Sequence, residues 1–208
     1  MQIPFSMADN EDSMEKLGLE DGEVFYQSEF LTAGEADQYH DTLLRETDWQ
    51  QDSLVFGGKT VPIPRLQAWH GEENSHYGYS GLALTPLPWT PLLSELKCRV
   101  EKAADSCFNS VLLNYYRDGN DSVSWHSDDE KELGSEPVIA SLSLGTTRRF
   151  ELRHRHKKGR KFTCELAHGS LLIMGPGIQQ HWHHQVPKQP GLSAGRINLT
   201  FRYVHPQT

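Results

Sequence analysis

Arg196-Ile197-Asn198-Leu199-Thr200-Phe201-Arg202 alternates apolar and polar residues without a break. A period of two puts Ile197, Leu199 and Phe201 on one face of a strand, and Arg196, Asn198, Thr200 and Arg202 on the other. A solvated sheet face would account for the polar row. Two arginines beside an Asn suggest instead a dicarboxylate pocket, because guanidinium forks match carboxylates bidentately. Working outward, the same period begins at Ser110, with strands expected near 110–117, 137–145, 148–156, 161–166, 169–174, 181–186 and 196–204. Asp118-Gly119, Lys158-Gly159 and His168-Gly169 are turn-like connections between them. The strand at 110–117 carries Asn114 and Tyr116 at equal parity, a second polar pair like that of the last strand.

Upstream, Val24–Gln27 reads as a short strand. Thr32-Ala33-Gly34-Glu35 has the form of a capping box, and Tyr39, Leu43 and Leu44 give the following helix an apolar face to about Thr47. Thr90-Pro91 starts a second helix, with Leu92, Leu93, Leu96, Val100, Ala103 and Ala104 at helical spacing. Residues 54–81, rich in Gly, Pro and aromatics, read as hairpins or loops outside the packed core. Helices followed by a run of strands, without βα alternation, exclude a doubly wound sheet. The expected fold is α+β, mainly β: a β-sandwich or jelly roll with the helices packed on one sheet.

The 208 residues suit one domain, 23–208, behind a flexible acidic tail at 1–22. No stretch approaches a membrane span or a signal peptide, so a monomeric cytoplasmic protein (nuclear in a eukaryote) is expected, with no membrane partner. Cys98, Cys107 and Cys164 are odd in number and outside any CxxC pattern, which favours reduced thiols over disulfides or a zinc knuckle. The net charge of −8 argues against a nucleic-acid partner, but the charge is unevenly spread. Acidic residues crowd 8–37, whereas 148–161 carries Arg148, Arg149, Arg153, Arg155, Lys157, Lys158, Arg160 and Lys161 against Glu151, a candidate phosphate-binding surface or a solvated hairpin.

Chemistry enters at Trp125-His126-Ser127-Asp128. In an extended segment residues i and i+2 project to one side, so His126 and Asp128 reach a common ion, and their donors suit Fe(II), Mn(II) or Zn(II). One histidine from His181-Trp182-His183-His184 would complete a two-histidine, one-carboxylate triad with open coordination positions. A metal site beside a carboxylate pocket made from neighbouring strands outlines an oxoglutarate site.

The joint pattern of Asn114-Tyr115-Tyr116-Arg117-Asp118-Gly119, His126-Ser127-Asp128-Asp129-Glu130, Ile139 to Gly145, His168 to Met174 and Arg196 to Arg202 resembles the AlkB family of Fe(II)/2-oxoglutarate dioxygenases. With Pro64-Arg65 and Tyr77-Gly78-Tyr79-Ser80-Gly81 the match spans about 64–203. The resemblance implies a double-stranded β-helix with a hairpin lid at 54–81 over the active site. It implies Fe(II) held by His126, Asp128 and His184, the last because His-x-Val-Pro stands twelve residues before Arg196. It places Asn114, Tyr116, Arg196, Asn198 and Arg202 around the co-substrate 2-oxoglutarate, with Arg196 and Tyr116 at the distal carboxylate and Arg202 near the chelating end, and O2 as the oxidant.

The implied reaction removes N-linked methyl groups, of the 1-methyladenine and 3-methylcytosine type, from DNA or RNA as formaldehyde, with succinate and CO2 as co-products. The same chemistry on a protein or small molecule is the alternative. For the base, the resemblance implies Tyr77 and Tyr79 as an aromatic lid, with Tyr79 stacking the base against His126. It also implies Glu130 at the exocyclic amine, Arg65 in the recognition region and Phe56 as an apolar finger.

Overall fold

The computed structural model describes residues 14–73, 77–79, 82–84 and 86–206, with backbone alone for Phe56, 77–79 and 82–84. Two antiparallel sheets face each other. In chain order the strands are β1 (Glu15–Leu17), β2 (Val24–Gln27), β3 (Ser53–Phe56), β4 (Lys59–Pro62), β5 (Leu66–Gly71), β6 (Tyr77–Tyr79), β7 (Leu82–Leu84), β8 (Ser110–Tyr116), β9 (Val123–His126), β10 (Ile139–Gly145), β11 (Arg148–His154), β12 (Lys161–Leu166), β13 (Leu171–Met174), β14 (Trp182–Val186) and β15 (Arg196–Arg202). The larger sheet has the order β1-β2-β13-β10-β15-β8-β5 and the smaller one β12-β11-β14-β9. The jelly-roll expectation holds, and all seven expected strands form, shortened by a residue or more where a turn begins.

Helices α1 (Ala33–Glu46) and α2 (Pro91–Ala104) cover the outer face of the larger sheet, as expected. Thr32 accepts from the Glu35 amide while Glu35 accepts from the Thr32 amide, and Thr90 caps Leu93, so each helix starts where its cap residue dictates. Tyr39 and Leu43 of α1, with Leu93, Leu96 and Val100 of α2, pack on Val111, Leu113, Leu142, Ile197, Leu199 and Phe201. Truncating a side chain as buried as Leu96 in such a layer costs roughly 2–5 kcal/mol. A second apolar layer, from Trp69, Leu112, Ile139 and Leu172 to Phe150, Leu152, Trp182 and Val186, lies between the two sheets. Among the described residues no helix is long and apolar enough to cross a membrane.

Three expectations change. The stretch 54–81 is not all loop: β5 is a buried edge strand of the larger sheet, paired with β8 from Leu66↔Tyr115 to Gly71↔Ser110. Its run of buried side chains alternates too little to read as a strand beside so many loop residues. The rest of that stretch does form hairpins, and Gly57 and Gly58, both at positive φ, make the tight β3–β4 turn. Of the expected tail, 1–13 lie outside the described residues, but 14–22 are not tail: β1 pairs with β2 and extends the sheet. Finally, β9, which ends at His126, and the one-turn helix α3 (Ile178–His181), which leads into the strand of His184, were not expected from periodicity.

Candidate metal centre

The polar row of β15 faces the space between the sheets. Every residue of the strand is buried, so the solvated-face account is excluded. Register aligns the row laterally: Asn198 lies opposite Asn114 of β8 and Ser143 of β10, Asn114 opposite Gln67 of β5, and Arg196 opposite Tyr116. Arg196 donates from Nη2 to Ser143 Oγ (2.8 Å), while its buried Nε and Nη1 have no hydrogen-bond partner. Burial pushes this guanidinium down to about 10, still far above neutral pH, so it remains cationic. A buried cation with two uncommitted N–H groups calls for a carboxylate.

Asn114 is fixed by Arg65 Nε (2.7 Å) and Gln67 Nε2 (2.8 Å), both donating to its Oδ1. Asn198 donates to Ser141 Oγ and the Leu142 carbonyl and accepts from Thr200, so its amide is spent largely on joining β10 to β15.

At the other end of this cavity stand His126, Asp128 and His184, whose ligand atoms all lie within 4.8 Å of one another. The sheet makes two of the three meet: His126 of β9 and His184 of β14 are register partners, with ring centroids 4.2 Å apart. Asp128 follows the end of β9, and its Oδ1 is 3.9 Å from His126 Nε2. Its Oδ2 accepts from Arg202 Nη2 at 2.9 Å. Arg202 therefore grips the candidate ligand carboxylate itself, a contact the sequence did not suggest. Burial alone would raise the Asp128 carboxyl, but Arg202, then His126 and His184, outweigh it and hold it at about 2. Burial, helped by His126, pushes His184 down to about 3, and burial also lowers His126. An anionic carboxylate beside two neutral imidazoles is the protonation state a divalent metal requires.

Two details fit a metal. His126 Nδ1–H donates to the Ser124 carbonyl (2.8 Å), which can only accept, so Nε2 carries the free lone pair. Asp128 Oδ1 and His184 Nδ1 are buried without a hydrogen-bond partner, which buried polar atoms avoid unless an ion or ligand serves them. The donor set, two nitrogens and one oxygen without sulfur, suits Fe(II). His183 points to the opposite side of β14, opposite Arg153, and His181 ends α3, stacked on His154 at 6.0 Å. That leaves His184 as the histidine of the cluster that meets the pair.

The triad and the Arg196 row line one cavity, bounded on its apolar side by Phe150, Leu166, Met174 and Val186. Arg65, buried against Asn114 and donating to the Ser122 carbonyl, lines both that cavity and the groove outside it. A groove lined by Leu54, Ile63, Pro64, Ser122 and Trp125 reaches His126 from outside. Glu130 closes the loop that carries Asp128 and precedes the 3₁₀ turn Lys131–Leu133. The side chains of Tyr77, Tyr79 and Phe56 lie outside the described residues; their backbones belong to β6 and β3.

The basic stretch 148–161 forms the β11–β12 hairpin with its basic residues exposed, one of the two readings expected, except at Arg148. Arg148 is buried and donates to the Asp118, Asp121 and Pro187 carbonyls and to Gln189, a structural tie between loops. Arg155 pairs with Asp129, and Arg149 lies near Glu151 and Glu165. Lys157 meets Glu20 and Asp21, and Arg160 meets Glu20. Gln67, Ser141 and Ser143 were missed, although each was visible as a polar residue at the right parity in an otherwise apolar run. Gln179, which touches Asp128, left no such signal.

The family model described as "2OG-Fe(II) oxygenase superfamily" matches residues 23–202. The alpha-ketoglutarate-dependent dioxygenase alkB homolog 3 of Mus musculus is 45% identical over 186 residues, covering 85% of this chain and 64% of the relative. The DNA oxidative demethylase ALKBH2 of Mus musculus is 40% identical over 183 residues, covering 83% of this chain and 76% of the relative. The solved structure of OsALKBH1 matches in fold with a TM-score of 0.65 at 18% identity, over 91% of this chain and 100% of that one. The chain spans less than two thirds of the length of the homolog 3 relatives, 64% for the mouse and human proteins alike. With a two-histidine, one-carboxylate cluster and a buried arginine row between the sheets of a jelly roll, the chain belongs to the 2OG-Fe(II) oxygenase superfamily, within its AlkB branch.

Proposed function

We propose that the protein is an Fe(II)/2-oxoglutarate-dependent demethylase of N-alkylated bases in DNA or RNA, releasing formaldehyde, succinate and CO2. The observation that carries this reading is the single cavity joining His126, Asp128 and His184 to the two uncommitted N–H groups of Arg196. Bound Fe(II), with 2-oxoglutarate and O2, supplies the oxidising power that hydroxylates an N-methyl group, after which the hydroxymethyl product collapses to formaldehyde.

The chain's own work is binding and exclusion. His126 and His184 offer neutral nitrogens and Asp128 an anionic oxygen, while Arg202 keeps the other carboxylate oxygen turned away from the metal position. Arg196, oriented by Ser143 and packed on the Tyr116 ring at 5.4 Å, takes the distal carboxylate of 2-oxoglutarate. Asn114, steadied by Arg65 and Gln67, presents its amide to the co-substrate, and Asn198 holds the strands that carry these groups. Phe150, Leu166 and Met174 keep water from the oxidising centre.

A base must leave its stack to reach a site between two sheets. The groove at His126 is its entrance, the hairpins of 54–81 its lid, Tyr77 and Tyr79 its stacking partners, Glu130 its edge reader and Phe56 the finger in the gap. The names of the relatives, a DNA oxidative demethylase among them, support a nucleic-acid substrate. The protein acts as a monomer, in the cytoplasm or, in a eukaryote, in the nucleus.

Iron-loaded protein is expected to release formaldehyde from 1-methyladenine and 3-methylcytosine oligonucleotides when 2-oxoglutarate and ascorbate are present. No formaldehyde from any methylated single- or double-stranded oligonucleotide would remove the nucleic-acid reading. The neutralisation of Lys157 and Arg160 by Glu20 and Asp21 favours a second reading, the same oxygenation of a protein or small molecule. Competition by undamaged oligonucleotides that fades as salt is added separates the two.

A further inference from the structure

The three candidate ligands are not held equally. His126 and His184 sit in paired strands, so the sheet's hydrogen-bond ladder sets their separation. Asp128 lies beyond the end of β9, in a loop that no ladder reaches. Its side chain is gripped by Arg202, but its backbone is fixed by another group: the amide N–H donates to Gln179 Oε1 at 2.9 Å. Both residues are almost completely buried, at 1% and 2% exposure. No water can take the place of that acceptor without a cavity opening around it.

Gln179 is itself pinned. Its Nε2 reaches Met174 Sδ at 3.6 Å, and its carbonyl accepts from Arg155 Nη1, which also binds Asp129 of the ligand loop. It belongs to the single turn of α3, whose neighbour Ile178 is fully buried and whose cap, Gly177, sits at positive φ so close to Asp21 that a Cβ would lie 2.5 Å from its carbonyl oxygen. This turn runs straight into β14 and His184. One short segment therefore carries one ligand and dictates, through a side chain, where the backbone of another stands.

We propose that Gln179 is a positioning residue for the metal site, setting the distance of Asp128 from His184. The proposal rests on the reading of Asp128 as an iron ligand. Hydrogen bonds of this supporting kind change metal affinity by about 10–100-fold when removed. Gln179→Met keeps the length and volume of the side chain but lacks the oxygen. Gln179→Glu keeps an oxygen acceptor and adds negative charge beside a cation site.

The test is Mn(II) binding to the full chain without 2-oxoglutarate, followed by the electron paramagnetic resonance signal of free Mn(II), alongside thermal melts. Expected are Mn(II) affinity about 10–100-fold weaker in Gln179→Met and wild-type or tighter in Gln179→Glu, with His126→Ala losing binding. Wild-type affinity in Gln179→Met, with binding lost in His126→Ala, overturns the positioning role and leaves the metal site standing. Equal weakening in the Met and Glu variants, in step with their melting temperatures, also overturns it, because packing alone would then account for the loss. Undiminished Mn(II) binding in His126→Ala overturns the metal-site reading itself.

Discussion

Two arginine-rich stretches, Arg196–Arg202 and Arg148–Lys161, look alike as sequences and end in opposite situations. In the first, Arg196 and Arg202 are buried to within a few percent, aimed between the sheets, and one is engaged with the candidate ligand carboxylate. In the second, Arg148 is consumed by backbone carbonyls, and Arg155, Lys157 and Arg160 are met by carboxylates of the same chain. Arg153 lies on the Trp125 ring at 4.4 Å, and Lys158 and Lys161 stay exposed. Charge density identifies neither a site nor a surface. What separates the two stretches is what satisfies each cation: Arg196, buried with spare donors, needs a particular anion, whereas Arg148, equally buried, is met by carbonyls, and an exposed cation is satisfied by water, salt or any neighbour.

The largest effect that would break this contrast lies at Asp128. Asp128→Ala is expected to abolish succinate release from 2-oxoglutarate and, by leaving Arg202 buried without its carboxylate, to cost roughly 3–5 kcal/mol of stability. Adding Arg202→Met should recover much of the melting temperature and none of the turnover. Next, Arg196→Met should lower kcat/KM for 2-oxoglutarate by at least about 100-fold, since two charge-assisted hydrogen bonds of roughly 1.5–3 kcal/mol each are lost. Its melting temperature should fall much less than that of Asp128→Ala, because no buried charge is left without a partner. A large stability loss without a rise in the 2-oxoglutarate KM would make Arg196 structural, like Arg148.

Smaller effects belong to the exposed stretch. Arg153→Ala with Lys161→Ala should flatten the log–log salt dependence of oligonucleotide binding by roughly 1–2 units. Glu20→Gln with Asp21→Asn should tighten that binding by releasing Lys157 and Arg160; an unchanged affinity would show that this turn faces no phosphate. Smallest is a thiol count. Burial pushes Cys164 up to about 12, so at pH 8 it holds almost no thiolate, whereas Cys98 and Cys107 are exposed. Ellman's reagent should react rapidly with two thiols in the native protein and three after unfolding; rapid reaction of all three would mean that β12 opens.

Most of this centre was legible because it is written in strands. Alternation is a local property, so residue spacing alone assigns Arg196 and Asn198 to one face of their strand, and Asn114 and Tyr116 to one face of theirs. The two helix starts were legible for the same reason, since a cap lies within four residues of what it caps. The buried run of β5 was hidden because a strand buried on both faces loses its alternation. The Arg202–Asp128 pair and the Gln179 brace were hidden because they join residues 74 and 51 positions apart, and only folding brings such groups together.

The docking of residues 14–22 has a practical corollary for anyone shortening the protein. The family match begins at residue 23, so trimming to that boundary would look safe by homology. It would delete β1, strip the Trp182 indole N–H of its acceptor, the Glu20 carbonyl, and remove the Asp21 backbone that Gly177 lies against. Gly177 and Trp182 flank α3 on either side, and Trp182 opens the strand that carries His184. A fragment chosen to be minimal would therefore lose the outside brace on the segment that delivers His184 to the site.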